Sequence, residues 1–263
     1  MVNIPMKTSA PYTSQTILSI NDLKVQGAKT SQDIMTLNQN ASQANACPTQ
    51  MPANTHSVGR SMQAAPIQRT PMPVRKPLPS LVHTVRKGQK TVLNAAANPS
   101  RIKACLGWNA SNADCDVDVS AFLLDASGKV IGDSWFVFYG QTNSPDGSTT
   151  FQIDNSTDRE IISIDFTKLN PAVSKIVFVL TIHEALQKHL NFSMLQDAYI
   201  RILDSVTNAE LVSFQMDEYY ANVTSMMIGE LYLHNGIWKF NAIGNGVARD
   251  LAGLCELYGV QVI

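Results

Sequence analysis

The sequence has few charged and few aromatic residues, and it contains no long apolar run. Charged side chains make up 16% of its 263 residues and the net charge is -1, so no overall attraction to nucleic acid or anionic lipid is expected. No apolar run approaches the roughly 18 residues that cross a bilayer. The first residues also lack the basic patch and apolar core of a secretory signal. We therefore expect a cytoplasmic protein without a transmembrane segment.

Cysteine is scarce as well. The four cysteines are Cys47, Cys105, Cys115 and Cys255, and no two of them form a C-x-x-C pair. This spacing argues against a zinc ribbon and against a disulfide framework. We expect reduced, partly buried thiols.

The chain divides near residue 80. Residues 1–80 hold 9 of the 12 prolines but only 2 of the 14 glycines and 1 of the 19 aromatic residues, and their net charge is +5. Residues 81–263 carry a net charge of -6 and all three tryptophans. Since a segment so poor in large apolar side chains cannot offset its chain entropy, we predict a disordered Pro/Gln/Ser-rich arm and linker over 1–80. Its apolar stretches, 17–23 and 34–37, fit transient helices or short helices on a partner, and 66–79 fits an extended spacer.

Beyond residue 100 the pattern indicates strands. The strand-length apolar runs are 117–124, 135–139, 161–166, 176–182, 198–203 and 211–214. Turn signals rich in Gly, Pro, Asn and Ser separate them. Asn235-Gly236, with alternation on both sides, predicts a β-hairpin with a type I′ turn. About eight to ten short strands with few helices favour a mainly β fold, a two-sheet β-sandwich.

Helical spacing occurs only near the end of the chain. Val247, Leu251, Leu254 and Leu257 fall on one face of a helix over roughly 247–258, and Gly259 is a C-terminal stop. Gly244-Asn-Gly246 just before it lacks the third glycine of a dinucleotide site, and we interpret it as a tight turn.

Two acidic clusters are the candidate functional residues. Asp116 and Asp118, with Asp114 before them, recur with a period of two, so their carboxylates would share a strand face or converge. Oxygen donors of this kind suit calcium, although an EF-hand loop is excluded because Val119 stands where its glycine is needed. A second polar cluster, 154–160, precedes the strand at Ile161, and it could meet the first at one end of the sandwich.

Catalytic motifs are missing. His183-Glu184 is not followed by a histidine at position 187, which is glutamine, so the zincin motif fails. The sequence has no Gly-x-Ser-x-Gly elbow and no Walker loop. We therefore expect no enzymatic activity. The three tryptophans, Trp108, Trp135 and Trp238, are interpreted as core residues.

Taken in order, the folded part resembles the TerD family of tellurium-resistance and stress-response proteins. The stretches that carry the resemblance are Gly107-Trp108, 116–124, Phe138-Tyr139 with 144–147, Asp154-Asn155, 175–179, 181–183, 228–232, 234–236, 238–240 and 242–246. They span nearly all of 82–263. The resemblance implies a two-sheet β-sandwich over 81–263, calcium binding through acidic residues, no established enzymatic activity, and the bacterial cytosol, in some cases close to the inner-membrane face. It also implies assembly with other tellurium-resistance proteins.

The sequence departs from the family's signature calcium loop, Gly-Asp-Asn-x-Thr-Gly-x-Gly-x-Gly-Asp-Asp-Glu. Ile153 replaces the first glycine, the glycine run is missing, and Arg159 stands in place of the middle carboxylate of Asp-Asp-Glu. The ligands that the resemblance implies are Asp116, Asp118, Asp154, Asn155, Asp158 and Glu160. One calcium, weak binding and loss of calcium all remain compatible with this loop.

Three functional hypotheses follow. The first is a non-enzymatic, calcium-binding scaffold or adaptor of the tellurite-resistance and stress-response system, with the arm recruiting a partner or a membrane-proximal complex. The second is a degenerate TerD paralogue that binds protein partners without metal, which the short loop and Arg159 suggest. The third is a binding protein for a small ligand such as a cyclic nucleotide, although no phosphate cradle is recognisable.

Overall fold

The computed structural model of the chain describes residues 75–93 and 98–262. The arm predicted over 1–80 therefore lies outside the described residues except for its last six, and so do the two apolar stretches and Cys47. Within the described part, eleven strands form two antiparallel sheets. The prediction of a mainly β, two-sheet sandwich with few short helices is confirmed.

The strands are numbered along the chain. They are β1 (Lys90–Val92), β2 (Arg101–Ala110), β3 (Val117–Leu124), β4 (Phe136–Val137), β5 (Thr149–Ile153), β6 (Glu160–Asp165), β7 (Lys175–Ile182), β8 (Leu195–Asp204), β9 (Glu210–Gln215), β10 (Ser225–His234) and β11 (Ile237–Val247). Two short α-helices accompany them: α1 (Ala185–Lys188) and α2 (Leu251–Tyr258). One sheet has the order β1-β11-β10-β7-β3-β4, and the other has the order β5-β6-β2-β8-β9.

The main core lies between the two sheets. Alternate residues of the strands point into it, as the period of two along a strand requires. The six-stranded sheet contributes Val119 and Ala121 from β3 and Phe178 from β7, and the five-stranded sheet contributes Ala104 from β2 and Ile200 from β8. All five side chains are fully buried. The predicted core tryptophans are also buried, with at most 9% of each exposed.

A second apolar layer covers the outer face of the six-stranded sheet. Helix α2 packs there through Leu254 and Cys255, which contact a cluster that includes Phe122 and Val179. Strand β3 is therefore covered on both faces and all eight of its residues are buried. This explains why its sequence changes from alternation to a continuous apolar run.

The Asn-Gly hairpin is confirmed. Strand β10 pairs with β11 in a register that joins His234 to Ile237. Asn235 and Gly236 between them have φ values of 52° and 75°. Positive φ at both central residues is the geometry of the predicted type I′ turn.

Three local predictions were wrong. Residues 135–139 do not form one strand, because a 3-10 turn ends at Trp135 and β4 has only two residues. Gly244-Asn245-Gly246 is not a tight turn: it lies inside β11 and pairs with β10 across an irregular register. Val247 is the last residue of that strand, so the helix begins only at Leu251.

The ends of helix α2 follow ordinary capping chemistry. Asp250 is the N-cap, and its carboxylate accepts a hydrogen bond from the Gly253 N–H at 2.9 Å. Gly259 ends the helix in a left-handed conformation, as predicted. Leu257 is exposed rather than on the buried face, where Cys255 lies instead.

The described cysteines, Cys105, Cys115 and Cys255, are buried and unpaired, as predicted. Burial is the main cause that raises the pKa of the Cys105 thiol to about 12, which leaves it protonated and unreactive near neutral pH. Within 75–93 and 98–262, neither helix is long and apolar enough to cross a membrane.

Candidate functional site

The loop between β5 and β6, residues 154–159, is organised around the carboxylate of Asp154. Its Oδ1 accepts hydrogen bonds from the N–H and hydroxyl of Ser156, and its Oδ2 accepts from the N–H groups of Thr157 and Asp158, at 2.7–3.1 Å. Burial alone would raise the pKa of this carboxyl, but these hydrogen bonds outweigh it and lower the pKa to about 2. Asp154 therefore folds its own loop, and its oxygens are directed at the backbone.

Asp158 is engaged by two side chains of β8. Arg201 donates from Nε to Oδ1 at 2.9 Å and from Nη2 to Oδ2 at 2.7 Å, and the Tyr199 hydroxyl donates to Oδ1 at 2.8 Å. The Asp158 side chain is 4% exposed and that of Arg201 is 16% exposed. This is a buried, bidentate ion pair with a further hydroxyl donor. Burial, followed by the adjacent carboxylate, raises the pKa of Tyr199.

A second cation approaches the loop from the predicted arm. The Lys76 ammonium donates to the backbone carbonyl of Asp154 at 2.9 Å and also to that of Asp158. The Lys76 backbone is fixed by the side-chain amide of Asn109, which accepts from its N–H and donates to its carbonyl, both at 2.9 Å. Residues of the predicted arm thus lie against the domain beside the loop.

The Arg159 side chain points away from the acidic cluster, toward the end of β2. Its Nε donates to the carbonyl of Trp108 and its Nη2 to Asn109 Oδ1 at 3.4 Å. Its guanidinium also lies 5.6 Å from the centroid of the Trp108 ring, within cation–π range. Arg159 therefore ties the loop to the end of β2.

Glu160 connects the two sheets. Its Oε2 accepts a hydrogen bond from the Val119 N–H of β3 at 2.7 Å, and the side chain is buried. The partner strand β4 reaches only Ala121 and Phe122, so this carboxylate takes the place of a missing backbone acceptor at the strand edge. The predicted ligand Glu160 has a structural role in this arrangement.

The remaining predicted ligands lie apart. Asp116 precedes β3 and is half-buried, and its carbonyl accepts from the His183 N–H at 2.8 Å. Asp118 is buried on the outer face of the six-stranded sheet, where it lines a cavity that contains no residue of 154–160. Asn155 is exposed. The structure brings Asp154 and Asp158 together and places Glu160 on the backbone of β3, but within the described residues the predicted carboxylate ligands form no cluster of three or more.

These positions do not fit a calcium ion. Calcium takes six to eight oxygen ligands, whereas the carboxylates of Asp154 and Asp158 and the two loop carbonyls already accept hydrogen bonds from the chain's own donors. In the part of the chain that the structure describes, no group of three or more His, Cys, Asp or Glu side chains could hold a metal. Calcium binding stays a prediction from the sequence.

Comparison with known proteins decides the family. The model of the TerD domain matches residues 81–258. The chain belongs to the TerD family. Among curated TerD-domain relatives, the tellurium resistance protein TerD of Serratia marcescens is 39% identical over 182 residues, which are 66% of this chain and 95% of that protein.

Two relatives from Bacillus subtilis are equally similar. The uncharacterized protein YceE is 40% identical over 187 residues, which cover 67% of this chain and 97% of the relative. General stress protein 16U is 38% identical over 190 residues, which cover 68% of this chain and 98% of the relative. The shared region is thus a whole TerD domain, and the first 80 residues lie outside the family match.

Sequence reasoning identified Arg159 but missed the other two cations at the loop of this TerD domain, Lys76 and Arg201. Arg201 alone could have been noticed, because it is the one charged residue inside the otherwise apolar and aromatic run 198–203. A lone charge at a strand position next to buried residues indicates a partner across the sheet. No comparable signal marks Lys76, which stands in a polar and proline-rich segment 78 residues from Asp154.

Gly107 lies beneath this site and leads to a stability prediction. A Cβ atom there would lie 2.4 Å from the hydroxyl oxygen of Tyr199 and 2.5 Å from its ring. Gly107→Ala is therefore expected to cost about 1–3 kcal/mol of unfolding free energy, because the buried ring must move off Asp158. Urea denaturation measures this cost, and Gly132→Ala is the control, because the backbone there is extended and the added Cβ would make only an ordinary contact with Trp135 at 3.4 Å. A Gly107→Ala protein with unchanged stability would contradict this geometry.

Proposed function

We propose that this chain is a non-enzymatic binding protein of tellurium and stress resistance whose β5–β6 loop is held by the chain's own cations rather than by calcium. The observation that carries the proposal is the Lys76 ammonium on the carbonyls of Asp154 and Asp158. Arg201 neutralises the carboxylate of the same Asp158. The loop is thereby supplied with positive charge from two directions. Among the hypotheses from the sequence, this supports the paralogue that binds partners without metal.

The electrostatics of the loop favour this choice. A calcium ion at the loop would have to displace Lys76 from two carbonyls or Arg201 from a buried carboxylate. Displacing Arg201 would leave its largely buried guanidinium without the carboxylate that balances it, which is strongly unfavourable. In addition, Arg159 of the same loop holds a third positive charge at Trp108 and Asn109, which further disfavours a dication nearby. A rigid loop preorganised by internal cations needs no metal to keep its shape.

The stress-resistance role is inferred from the relatives. Proteins named for tellurium resistance and general stress match the whole folded region at nearly 40% identity. We propose that the rigid sandwich acts as a scaffold that assembles with other tellurium-resistance proteins, and that the N-terminal arm extends its binding surface, in some complexes near the inner membrane. A pull-down from tellurite-stressed cells, performed with calcium and with chelator, tests this proposal. Recovery of the same tellurium-resistance proteins in both samples is expected.

A calcium titration tests the metal-independent loop. Millimolar calcium is expected to leave the melting temperature of the full chain unchanged. The variant that combines Asp116→Ala with Asp154→Ala is likewise expected to melt at the same temperature with and without calcium. By contrast, Lys76→Met should lower the melting temperature by about 2–4 °C, because about 1 kcal/mol of charge-assisted hydrogen bonding to a half-buried loop is lost. Differential scanning calorimetry measures both effects, with magnesium as the ionic control.

The opposite pattern would support the calcium-binding scaffold instead. A melting temperature that rises with calcium but not with magnesium, and no longer rises in the Asp116→Ala, Asp154→Ala variant, contradicts the metal-independent loop. If the pull-down loses its partner proteins when chelator is present, the proposal that this chain binds partners without metal is contradicted. Arg86→Met, a substitution at an exposed arginine, controls for the loss of one positive charge.

A further inference from the structure

Residues 76–78 lie in a groove at the end of β2, beside the β5–β6 loop. The groove is formed by Trp108 and Asn109 of β2, by Arg159 of the loop and by Asp197 of β8. The space left between the segment and these side chains is about 10 Å³, no more than a single water requires. The segment therefore fits the groove closely.

The Asn109 side chain binds the backbone of Lys76 at two points. Its Oδ1 accepts a hydrogen bond from the Lys76 N–H and its Nδ2 donates to the Lys76 carbonyl, both at 2.9 Å. Two opposed residues of an antiparallel sheet exchange the same pair of bonds, so the side-chain amide takes the place of a neighbouring strand. This contact selects an extended backbone, and it excludes proline at the bound position because proline has no N–H.

The domain holds Asn109 in this orientation without help from the segment. The residue is 5% exposed, its Nδ2 also donates to Asp197 Oδ2 at 3.0 Å, and Arg159 Nη2 donates to its Oδ1 at 3.4 Å. Asp197 has a φ of 55°, and the register of β2 against β8 shifts between Gly107 and Asn109. Such irregularities redirect side chains and are common next to binding sites. The groove is therefore preorganised.

The β5–β6 loop recognises the lysine side chain. The Lys76 ammonium donates to the carbonyls of Asp154 and Asp158. Because the Asp154 carboxylate folds the loop through its hydrogen bonds to the N–H groups of Thr157 and Asp158, both acceptors are placed without the lysine. Pro77 follows Lys76, and the residue before a proline is biased toward an extended conformation. The groove therefore selects the sequence Lys-Pro.

The groove and the segment belong to different parts of the chain. The match to the TerD domain begins at residue 81, so the domain contains the groove but not the segment. Leu78 remains 40% exposed while the segment is bound, so hydrogen bonds rather than apolar burial hold the segment. The next attachment is at residues 82–83, whose N–H groups donate to Glu210 Oε1 at 2.9 and 2.7 Å. Residues 79–81 connect the two attachments.

We propose that this groove is a recognition site for an extended Lys-Pro segment, and that it accepts residues 76–78 of a second copy as well as those of its own chain. Every copy carries both the groove and its ligand, so contacts made within one chain can be made between two. Exchange of an identical element is a low-cost route to association. Within one chain the short connection gives an effective concentration in the millimolar range, so exchange is expected where the internal contact is weakened.

A peptide titration tests the recognition. The capped peptide Arg-Lys-Pro-Leu-Pro-Ser reproduces residues 75–80. It is titrated against the isotope-labelled full chain carrying Lys76→Pro, which removes the N–H and the ammonium of the internal segment, and the amide signals of Asn109 and Thr157 are followed by NMR. A dissociation constant on the order of 1 mM is expected, as befits so small a ligand. The peptide with norleucine in place of lysine should bind at least about tenfold more weakly, and the wild-type chain, whose groove is filled, should bind the lysine peptide more weakly than the variant does.

A mixing experiment tests the exchange between copies. The labelled Lys76→Pro chain is mixed with an unlabelled Asn109→Ala chain, which has lost the backbone contact in its own groove but keeps an intact segment. The groove signals are expected to shift in the same direction as with the peptide. Unlabelled Lys76→Pro carries no ligand and should cause no shift. Asn143→Ala, at an exposed asparagine outside the groove, keeps its internal contact and should cause a smaller shift than Asn109→Ala.

The outcomes are distinct. The inference rests on the proposed function because both use the Lys76 contact, but they fail separately: a melting temperature that rises with calcium contradicts the proposed function, whereas these NMR results do not depend on calcium. Preferential binding of the lysine peptide together with a shift from the Asn109→Ala donor supports the inference. No peptide binding, or equal binding of the norleucine peptide, would overturn the recognition site whether or not Asn109→Ala folds. Peptide binding without a shift from any donor would overturn the exchange between copies.

Discussion

Replacement of Arg201 by methionine is expected to lower the free energy of unfolding by about 3–5 kcal/mol. The substitution leaves the 4%-exposed carboxylate of Asp158 without its bidentate partner, and an unpaired buried charge is among the most destabilising changes known. Methionine retains much of the apolar stem, so the loss reports mainly on charge rather than on packing. Urea denaturation at neutral pH followed by circular dichroism provides the measurement.

A second substitution distinguishes the cost of an unpaired buried charge from the loss of the ion pair itself. Adding Asp158→Asn to Arg201→Met removes the buried charge, so the double variant is expected to be more stable than Arg201→Met alone. Arg101→Met is the matched control: Arg101 pairs with Asp165 at 3.0 Å, but its side chain is 60% exposed, and its removal should cost less than about 1 kcal/mol. If the two arginine variants lose equal stability, the pair at Asp158 is not the buried interaction described above.

Phe122→Ala is expected to cost about 3–5 kcal/mol and to release helix α2 from the sheet. The ring of Phe122 is fully buried and lies 4.4 Å from that of Phe136 and 4.5 Å from that of Tyr258, which is the last residue of the helix. Truncation leaves a cavity between the helix and β3, where nothing else can fill the space without moving the helix. Hydrogen exchange of the α2 amides should accelerate more than that of the β2 amides.

Two controls accompany the Phe122 prediction. Phe122→Leu keeps most of the volume and should cost less than about 1.5 kcal/mol. Leu257→Ala changes an exposed face of the same helix and should have an effect within about 0.5 kcal/mol. Uniform acceleration of exchange throughout the domain would show that α2 and the sandwich unfold together, which contradicts the separate outer layer.

Much of the fold could be predicted because its strands carry strong local patterns. The apolar runs at β3, β6 and β7 predict strands, and Asn235-Gly236 predicts a turn, each from a few neighbouring residues. Strand β2 was not predicted from periodicity, since Gly107 interrupts it and alanine is a weak strand former. Its position in the centre of the five-stranded sheet depends on pairing with residues more than 50 positions away, and no local pattern contains that information.

The candidate site was predictable only in part, for a similar reason. The acidic character of Asp154 and Asp158 is visible in the sequence, and it suggested an external cation. Which cation balances a carboxylate depends on the neighbours that the fold supplies: Arg201 reaches Asp158 from β8, across β2. The predicted run 117–124 matches β3, but no local pattern could show that Asp118 faces a cavity that contains no residue of the β5–β6 loop.

The position of Lys76 has a consequence for where this domain begins. Family similarity starts at residue 81, yet the ammonium that holds two carbonyls of the β5–β6 loop belongs to a residue five positions earlier. A fragment cut at the homology boundary would keep every strand and lose an internal counter-ion. The region that the family shares is therefore shorter than the region that contains this internal counter-ion.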